Sequence, residues 1–297
     1  MSRAEFIAFR KSLGRTPPLE RMSVRVRGVA LAVWSSPFVA GVPPLLLVNG
    51  GLLYDHALLW PALSPLAAGR QVILYDQRGR GESEAPPDPS TARIEDDADD
   101  MPALRRALGI RQWDVLGHSW GGGIALLGVA RDRAGTRRLV TVDAVGPTSA
   151  WMPRLHANAV ERATPGMRAA LDELGRALTN PDPAKQSAYA GAMYPAWFAD
   201  PDFATYFVPP EAASITGAAV LARLRRDGYD WRSQFQDFST STLLVHGRED
   251  PLPNDIIGQW TSLIPRSASV MLDHAGHMPF WEAPRAFFQE VSAFLGR

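Results

Sequence analysis

The sequence predicts an α/β fold, a mostly parallel central sheet flanked by helices, and three observations predict it. Short apolar runs without a polar face recur along the chain, most of them ending on glycine, asparagine or aspartate. Helix-period stretches separate these runs. From about Gly146 to Asp237 the strand-like runs stop, and helical pieces punctuated by prolines take over. Strands buried on both faces and alternating with helices are what a parallel sheet covered by helices requires. The strand-free stretch reads as a helical insertion between two strands of that sheet.

Taken in order, residues 23–26 and 29–34 read as a hairpin with Arg27-Gly28 at its turn. Leu45-Leu46-Leu47-Val48 is a buried run ending at Asn49-Gly50-Gly51, and Val72-Ile73-Leu74-Tyr75 is one ending at Asp76. Trp113-Asp114-Val115-Leu116 ends at Gly117, and Leu139-Val140-Thr141-Val142 at Asp143. The last two, Leu243-Leu244-Val245 and Ser269-Val270-Met271-Leu272, end at His246 and Asp273. Helices are expected over 57–68, with Pro61 in the first turn, then after Ser90 or Thr91 as N-cap, over 120–130 and over 284–294. In the second of these, Glu95, Asp96, Asp97, Asp99 and Asp100 come early and Arg105 and Arg106 late, which suits the helix dipole. The acidic cluster therefore reads as a solvated helix start and not as a metal site. Pro102 predicts a kink or a restart there. The insertion adds helical pieces at 167–178 and 218–226. Residues 1–145 and 238–297 then form one core, and 146–237 a helical cap.

Composition excludes several function classes. The 297 residues carry 31 Lys+Arg against 31 Asp+Glu, so no net positive charge draws the chain to nucleic acid or an anionic membrane. Hydrophobic residues at 46% and charged ones at 21% are ordinary globular values and allow a sizeable core. There is no cysteine, which removes disulfides, iron–sulfur clusters, thiolate zinc sites and cysteine nucleophiles together. No run of about 18 apolar residues predicts a transmembrane helix. The first residues thread charges through their apolar positions, unlike a signal peptide. A cytoplasmic protein acting on a small molecule is the expectation; the sequence says nothing of oligomeric state.

The chemistry gathers at Gly117-His118-Ser119-Trp120-Gly121, a G-x-S-x-G pattern between an apolar strand and an apolar helix. Composition alone predicts about 0.13 such matches over the chain, so the pattern gains weight from its setting. A sharp strand–turn–helix elbow needs glycines beside the serine and leaves the hydroxyl at a helix N-terminus, where N–H groups favour developing negative charge. A serine hydroxyl needs a base, and the base a carboxylate that orients it. Of six histidines, His156 falls in the insertion, His56 at a helix start, His118 inside the elbow and pointing away, and His246 at a buried strand end. His274 and His277 both follow the last strand; His277, after Gly276, has the loop freedom to reach over the sheet and is the candidate base. A His274/His277 metal pair lacks a third ligand. Asp250, just past a strand in His246-Gly247-Arg248-Glu249-Asp250-Pro251, is the candidate acid, with Asp143 as runner-up. The backbone N–H groups of Trp120 and Gly51 are the candidate oxyanion donors. Asn49-Gly50-Gly51 alone would read as no more than a tight strand exit. No metal and no organic cofactor are called for.

These residues resemble the α/β-hydrolase superfamily over almost the whole chain from about Ser23. Asp76-Gln77-Arg78-Gly79-Arg80-Gly81-Glu82-Ser83 is similar to the superfamily's D-x-R-G-x-G-x-S turn, and Asp250 and His277 fall where its acid and histidine fall. Tyr75-Asp76-Gln77, Ser119-Trp120-Gly121-Gly122 and Tyr229-Asp230-Trp231 lean toward the proline-iminopeptidase-like branch. The resemblance implies a hydrolase that cleaves ester or amide bonds through an acyl-enzyme. Two departures bear on the branch. Its peptidases usually carry H-G-G-P-G where this chain has Asn49-Gly50-Gly51-Leu52-Leu53, and their cap motif of a glutamate followed by N-H-Y-F is absent. Asp200, Asp202 and Glu211 are the acidic residues that the cap offers instead. An esterase, an aminopeptidase and a non-catalytic ligand-binding protein of the same fold are the alternatives. Trp151, Tyr189, Tyr194, Trp197, Phe198, Tyr206 and Phe207 are expected either to roof a pocket or to form the cap's own core.

Overall fold

The computed structural model describes residues 2–13, 16–175, 182–207 and 214–296; Glu211 and the end of the expected 167–178 helix lie outside them. Strands β1 (Glu20–Val26) and β2 (Val29–Ser35) pair antiparallel with Val26 opposite Val29. Arg27 and Gly28 alone make the turn, at φ 42° and 86°, the positive values a two-residue hairpin needs. With β3 (Leu45–Val48), β4 (Val72–Tyr75), β5 (Trp113–His118), β6 (Thr136–Val142), β7 (Ser241–Gly247) and β8 (Ser267–Leu272) they form a sheet of order β1-β2-β4-β3-β5-β6-β7-β8. β2 meets β4 antiparallel, and every pairing from β4 to β8 is parallel.

Alternate residues of these strands enter two separate cores. Leu46, Val48, Ile73, Tyr75 and Val115 face one side, while Leu45, Leu47, Val72, Leu74 and Leu116 face the other. Helix α1 (Arg3–Ser12), absent from the sequence reading, is capped by Ser2 and Glu5 and docks on the second core through Phe6. Helices α2 (Ile94–Ala107) and α3 (Trp120–Arg131) cover the first core. Between β6 and β7 lie α4 (Trp151–Arg162), α5 (Pro165–Gly175), α6 (Pro183–Met193) and α7 (Ile215–Asp227). Helix α8 (Asp255–Leu263), the short α9 (Pro279–Glu282) and α10 (Pro284–Gly296) complete the chain. Among the described residues no helix is long and apolar enough to cross a membrane.

Three local expectations are corrected. The 57–68 segment is not one helix but two short 3-10 pieces, His56–Leu58 and Ser64–Ala67. Pro61 and Pro65 withdraw two N–H donors and disfavour helical backbone in the residues before them. Helix α2 starts at Ile94, later than Ser90 or Thr91, and runs through Pro102 without a break. Its acidic start is only partly solvated, because Asp97 and Asp100 are buried. Asp97 receives two parallel bonds of 2.9 Å from Arg80, and Asp100 two from Arg78 at 2.6 and 2.8 Å.

That pairing explains the 76–83 turn residue by residue. Asp76 accepts from the backbone N–H of His56 and Glu82, and Ser83 Oγ donates to the Asp76 carbonyl at 2.7 Å. Arg80 Nε also donates to the Leu52 carbonyl at 2.9 Å, tying this turn to the loop after β3. The segment is a brace.

Candidate active site

The site is assembled where β5 runs into α3, beside the point at which strand order reverses, the usual place for ligands in open α/β sheets. Ser119 sits between the two elements at φ 55°, ψ −124°, a left-handed conformation a non-glycine residue holds only when its surroundings enforce it. Its neighbours do so through close backbone approach. A Cβ at Gly121 would lie against the Val48 carbonyl and 2.5 Å from that of Asn49. A Cβ at Gly50 would lie 2.7 Å from Ser119 Cβ. The loop after β3 is thus packed directly on the elbow. Gly51, at φ 79°, borders the same cavity as Ser119, Trp120 and His277. Trp120 is the first residue of α3, so its N–H has no acceptor within the helix.

His277 is buried, and its Nδ1 lies 2.8 Å from Asp250 Oδ2. The carboxylate makes Nδ1 the donor and leaves Nε2 as the acceptor of the ring. Burial pushes the His277 pKa down to about 3, so the imidazole is neutral at ordinary pH and can accept a proton. Its backbone N–H donates 2.6 Å to the Trp197 carbonyl of the inserted segment, and the two rings lie 4.4 Å apart.

Behind this pair sits Asp143, at φ 48° and wholly buried. Its Oδ1 accepts from the Gly247 N–H at 2.7 Å, and its carboxyl, that of Asp250 and a ring nitrogen of His246 all lie within 4.8 Å of one another. Burial, then the facing charge of Asp250, pushes Asp143 well above the carboxylate range. The second Asp143 oxygen, Oδ2, is buried without a hydrogen-bond partner on the side of Asp250, whose Oδ1 accepts from the Leu252 N–H at 2.8 Å.

Two further residues bear on the histidine loop. His118, expected to point away, is buried against Phe280 and His277 and brings its Nε2 to 2.8 Å from the His277 carbonyl. A carbonyl only accepts, so Nε2 carries the proton; burial holds His118 neutral, with its pKa down to about 3. Glu282 had no signal in the sequence. Its buried carboxyl accepts from Gly276 N–H at 2.9 Å and from Ala199 N–H at 2.7 Å, joining the loop to the insertion, and burial pushes it up to about 7. Of the other histidines, His56 stacks on Trp34 at 3.6 Å and His156 bonds the Tyr189 hydroxyl at 3.1 Å. His246 is buried beside Asp143, and His274 is an exposed loop residue at φ 58°.

Sets of three His and Asp side chains close enough to share an ion occur at His118/Asp143/His277, Asp143/His246/Asp250 and Asp55/His56/Asp76. In each set, side chains are already engaged by protein donors or acceptors, such as Asp250 on His277, Gly247 N–H on Asp143 and His56 N–H on Asp76. Trp151, Tyr189, Tyr194 and Trp197 line the cavity over Ser119. Phe198, Tyr206 and Phe207 do not, and pack with Phe6 and Phe203.

A serine on a strained elbow, beneath helices inserted in a mostly parallel sheet, defines a class: the chain belongs to the α/β-hydrolase fold family, whose model matches residues 43–284. Within it the chain is proline-iminopeptidase-like. It is 27% identical over 267 residues to a proline iminopeptidase of Lactobacillus delbrueckii subsp. lactis, covering 85% of this chain and 90% of that one. It is 32% identical over 237 residues to a 2-hydroxymuconate semialdehyde hydrolase of Pseudomonas putida, covering 76% and 77%. Among solved structures it is similar in fold to an esterase from Exiguobacterium antarcticum, with TM-score 0.74, 19% identity and coverage of 94% and 100%.

Proposed function

We propose that this chain is a serine hydrolase that cleaves the ester or amide bond of a small substrate. Ser119 attacks the carbonyl carbon, His277 Nε2 takes the hydroxyl proton and returns it to the leaving group, and Asp250 holds the ring and offsets the charge of the imidazolium. The N–H groups of Gly51 and Trp120 stabilise the oxyanion. Water then cleaves the acyl-enzyme by the same proton transfers. Residues 146–237 act as a cap over a core of 1–145 and 238–297. The observation that carries this reading is the 2.8 Å contact of Asp250 with a buried His277 bordering the cavity of Ser119. An aminopeptidase is the second reading, favoured by the relatives named proline iminopeptidases. Hydrolysis of short-chain p-nitrophenyl esters, run beside prolyl- and alanyl-arylamides, separates the two. Ester turnover with little arylamide turnover is expected, and the reverse would replace the first reading with the second.

Asp143 has a part in this scheme as the proton donor behind the acid. Asp143→Asn keeps a neutral donor toward Asp250, whereas Asp143→Leu removes it and leaves the Gly247 N–H unpaired. The leucine variant is expected to lose about 10- to 100-fold in kcat/KM, and the asparagine variant to recover most of it. Equal losses in the two variants would reduce Asp143 to a packing residue.

A further inference from the structure

The cavity over Ser119 is lined by aromatic and aliphatic side chains, and among its described lining residues a single side chain carries a full charge, that of Arg225. We infer that this guanidinium is a recognition site for a carboxylate on the substrate. The inference rests on the serine-hydrolase reading and names the class of ester or amide it acts on.

Arg225 lies in the last turn of α7, where a cation suits the helix dipole, but its surroundings differ from those of its neighbours. Arg226 pairs with Asp227 at the exposed surface, and Arg223, whose Nε is likewise buried without a partner, donates through its Nη2 to the Ser90 carbonyl away from the cavity. Arg225 turns inward. Its Nε is fully buried and has no hydrogen-bond partner, and its guanidinium lies 5.9 Å from the centre of the Tyr189 ring. Among the described residues no carboxylate pairs with it, whereas the buried Arg78 and Arg80 each hold one in two parallel bonds. A guanidinium taken from water without a counter-charge is costly, and a guanidinium bordering an apolar cavity is matched by a carboxylate. The other anion of suitable geometry, a phosphate dianion, would keep one charge uncompensated, because the lining offers one cation. An ammonium group, as on an aminopeptidase substrate, would meet that cation and, among the described lining residues, no acidic side chain.

The test compares mono-p-nitrophenyl glutarate, an anionic hemiester, with p-nitrophenyl butyrate, a neutral ester. In the wild type the hemiester is the better substrate. Arg225→Met is expected to lower the ratio of kcat/KM values, hemiester over neutral ester, by about 10- to 100-fold, mainly through KM, with Arg225→Lys in between. Calorimetric titration of the wild type with glutarate and with glutaramide gives a readout independent of turnover and of whether the methionine variant folds. Binding of the acid at least tenfold tighter than the diamide is expected. Equal binding of the two, an unchanged ratio in Arg225→Met, or preference for alanyl-arylamides would each overturn the inference. Preferential binding of glutarate without hydrolysis of either ester would instead remove the serine-hydrolase reading and leave the anion site standing.

Discussion

Ser119→Ala is expected to lose about 10⁴- to 10⁶-fold in kcat on p-nitrophenyl esters, the range seen when a serine nucleophile is removed. The loss falls on kcat because the cavity that binds the substrate is lined mostly by other residues, the aromatics of the inserted helices among them. Folding is expected to change little. Alanine adopts the φ of 55° no less readily than serine, and the close contacts at the elbow involve Cβ and backbone atoms of residues 48–50 and 117–121, all retained in the variant. Thermal denaturation in parallel with the ester assay separates the two effects. A variant that keeps its activity would exclude the serine as nucleophile, and one that is inactive but unfolded would point to the elbow's strain instead.

The second large effect concerns stability. Arg80→Met leaves Asp97 with no guanidinium in a wholly buried position, and it also frees the Leu52 carbonyl beside the loop that carries Gly51. Breaking a buried pair from one side costs about 3–5 kcal/mol, a large part of the roughly 5–15 kcal/mol that holds a domain folded. The double variant Arg80→Met/Asp97→Leu removes the stranded charge and is expected to regain most of the loss. The pH dependence has a definite sign. Burial already pushes Asp97 up to about 6 in the presence of Arg80, and losing the cation raises it further. A carboxyl whose folded pKa is raised stabilises the fold below its unfolded pKa, and that contribution is lost as pH rises through the folded value. The single variant's deficit is therefore expected to be smaller at pH 5 than at pH 8, as read from urea midpoints. A deficit independent of pH would mean that lost packing, not the stranded charge, is responsible.

What was legible in the sequence follows from the range of the interaction that fixes each feature. The sheet was legible because two-sided burial writes itself into consecutive residues, as in Leu45–Val48 and Val72–Tyr75. The elbow was legible because its glycines lie within two residues of Ser119. The approach of Asp250 to His277 rests on chain order at the ends of β7 and β8, which a fold-level rule supplies. The burial of Asp97 and Asp100 was not legible. Their partners Arg78 and Arg80 sit in a separate turn, and an acidic helix start looks the same whether solvated or paired. His118 was placed pointing away because alternation along a strand assigns it to the opposite face; it reaches the His277 carbonyl where β5 breaks into the turn. Arg225 stands in Leu224-Arg225-Arg226-Asp227, which reads as an ordinary charged helix end. Only the packing of α7 over the cavity sets it apart from Arg226.

Reaction of the wild-type chain with a fluorophosphonate, followed by intact mass and peptide mapping, bears most directly on whether Ser119 is an activated alcohol. One adduct per chain is expected, on the peptide containing Ser119, and none in Ser119→Ala. A folded wild-type chain that takes up no label, or takes it up elsewhere while Ser119 stays unmodified, would contradict the proposed chemistry.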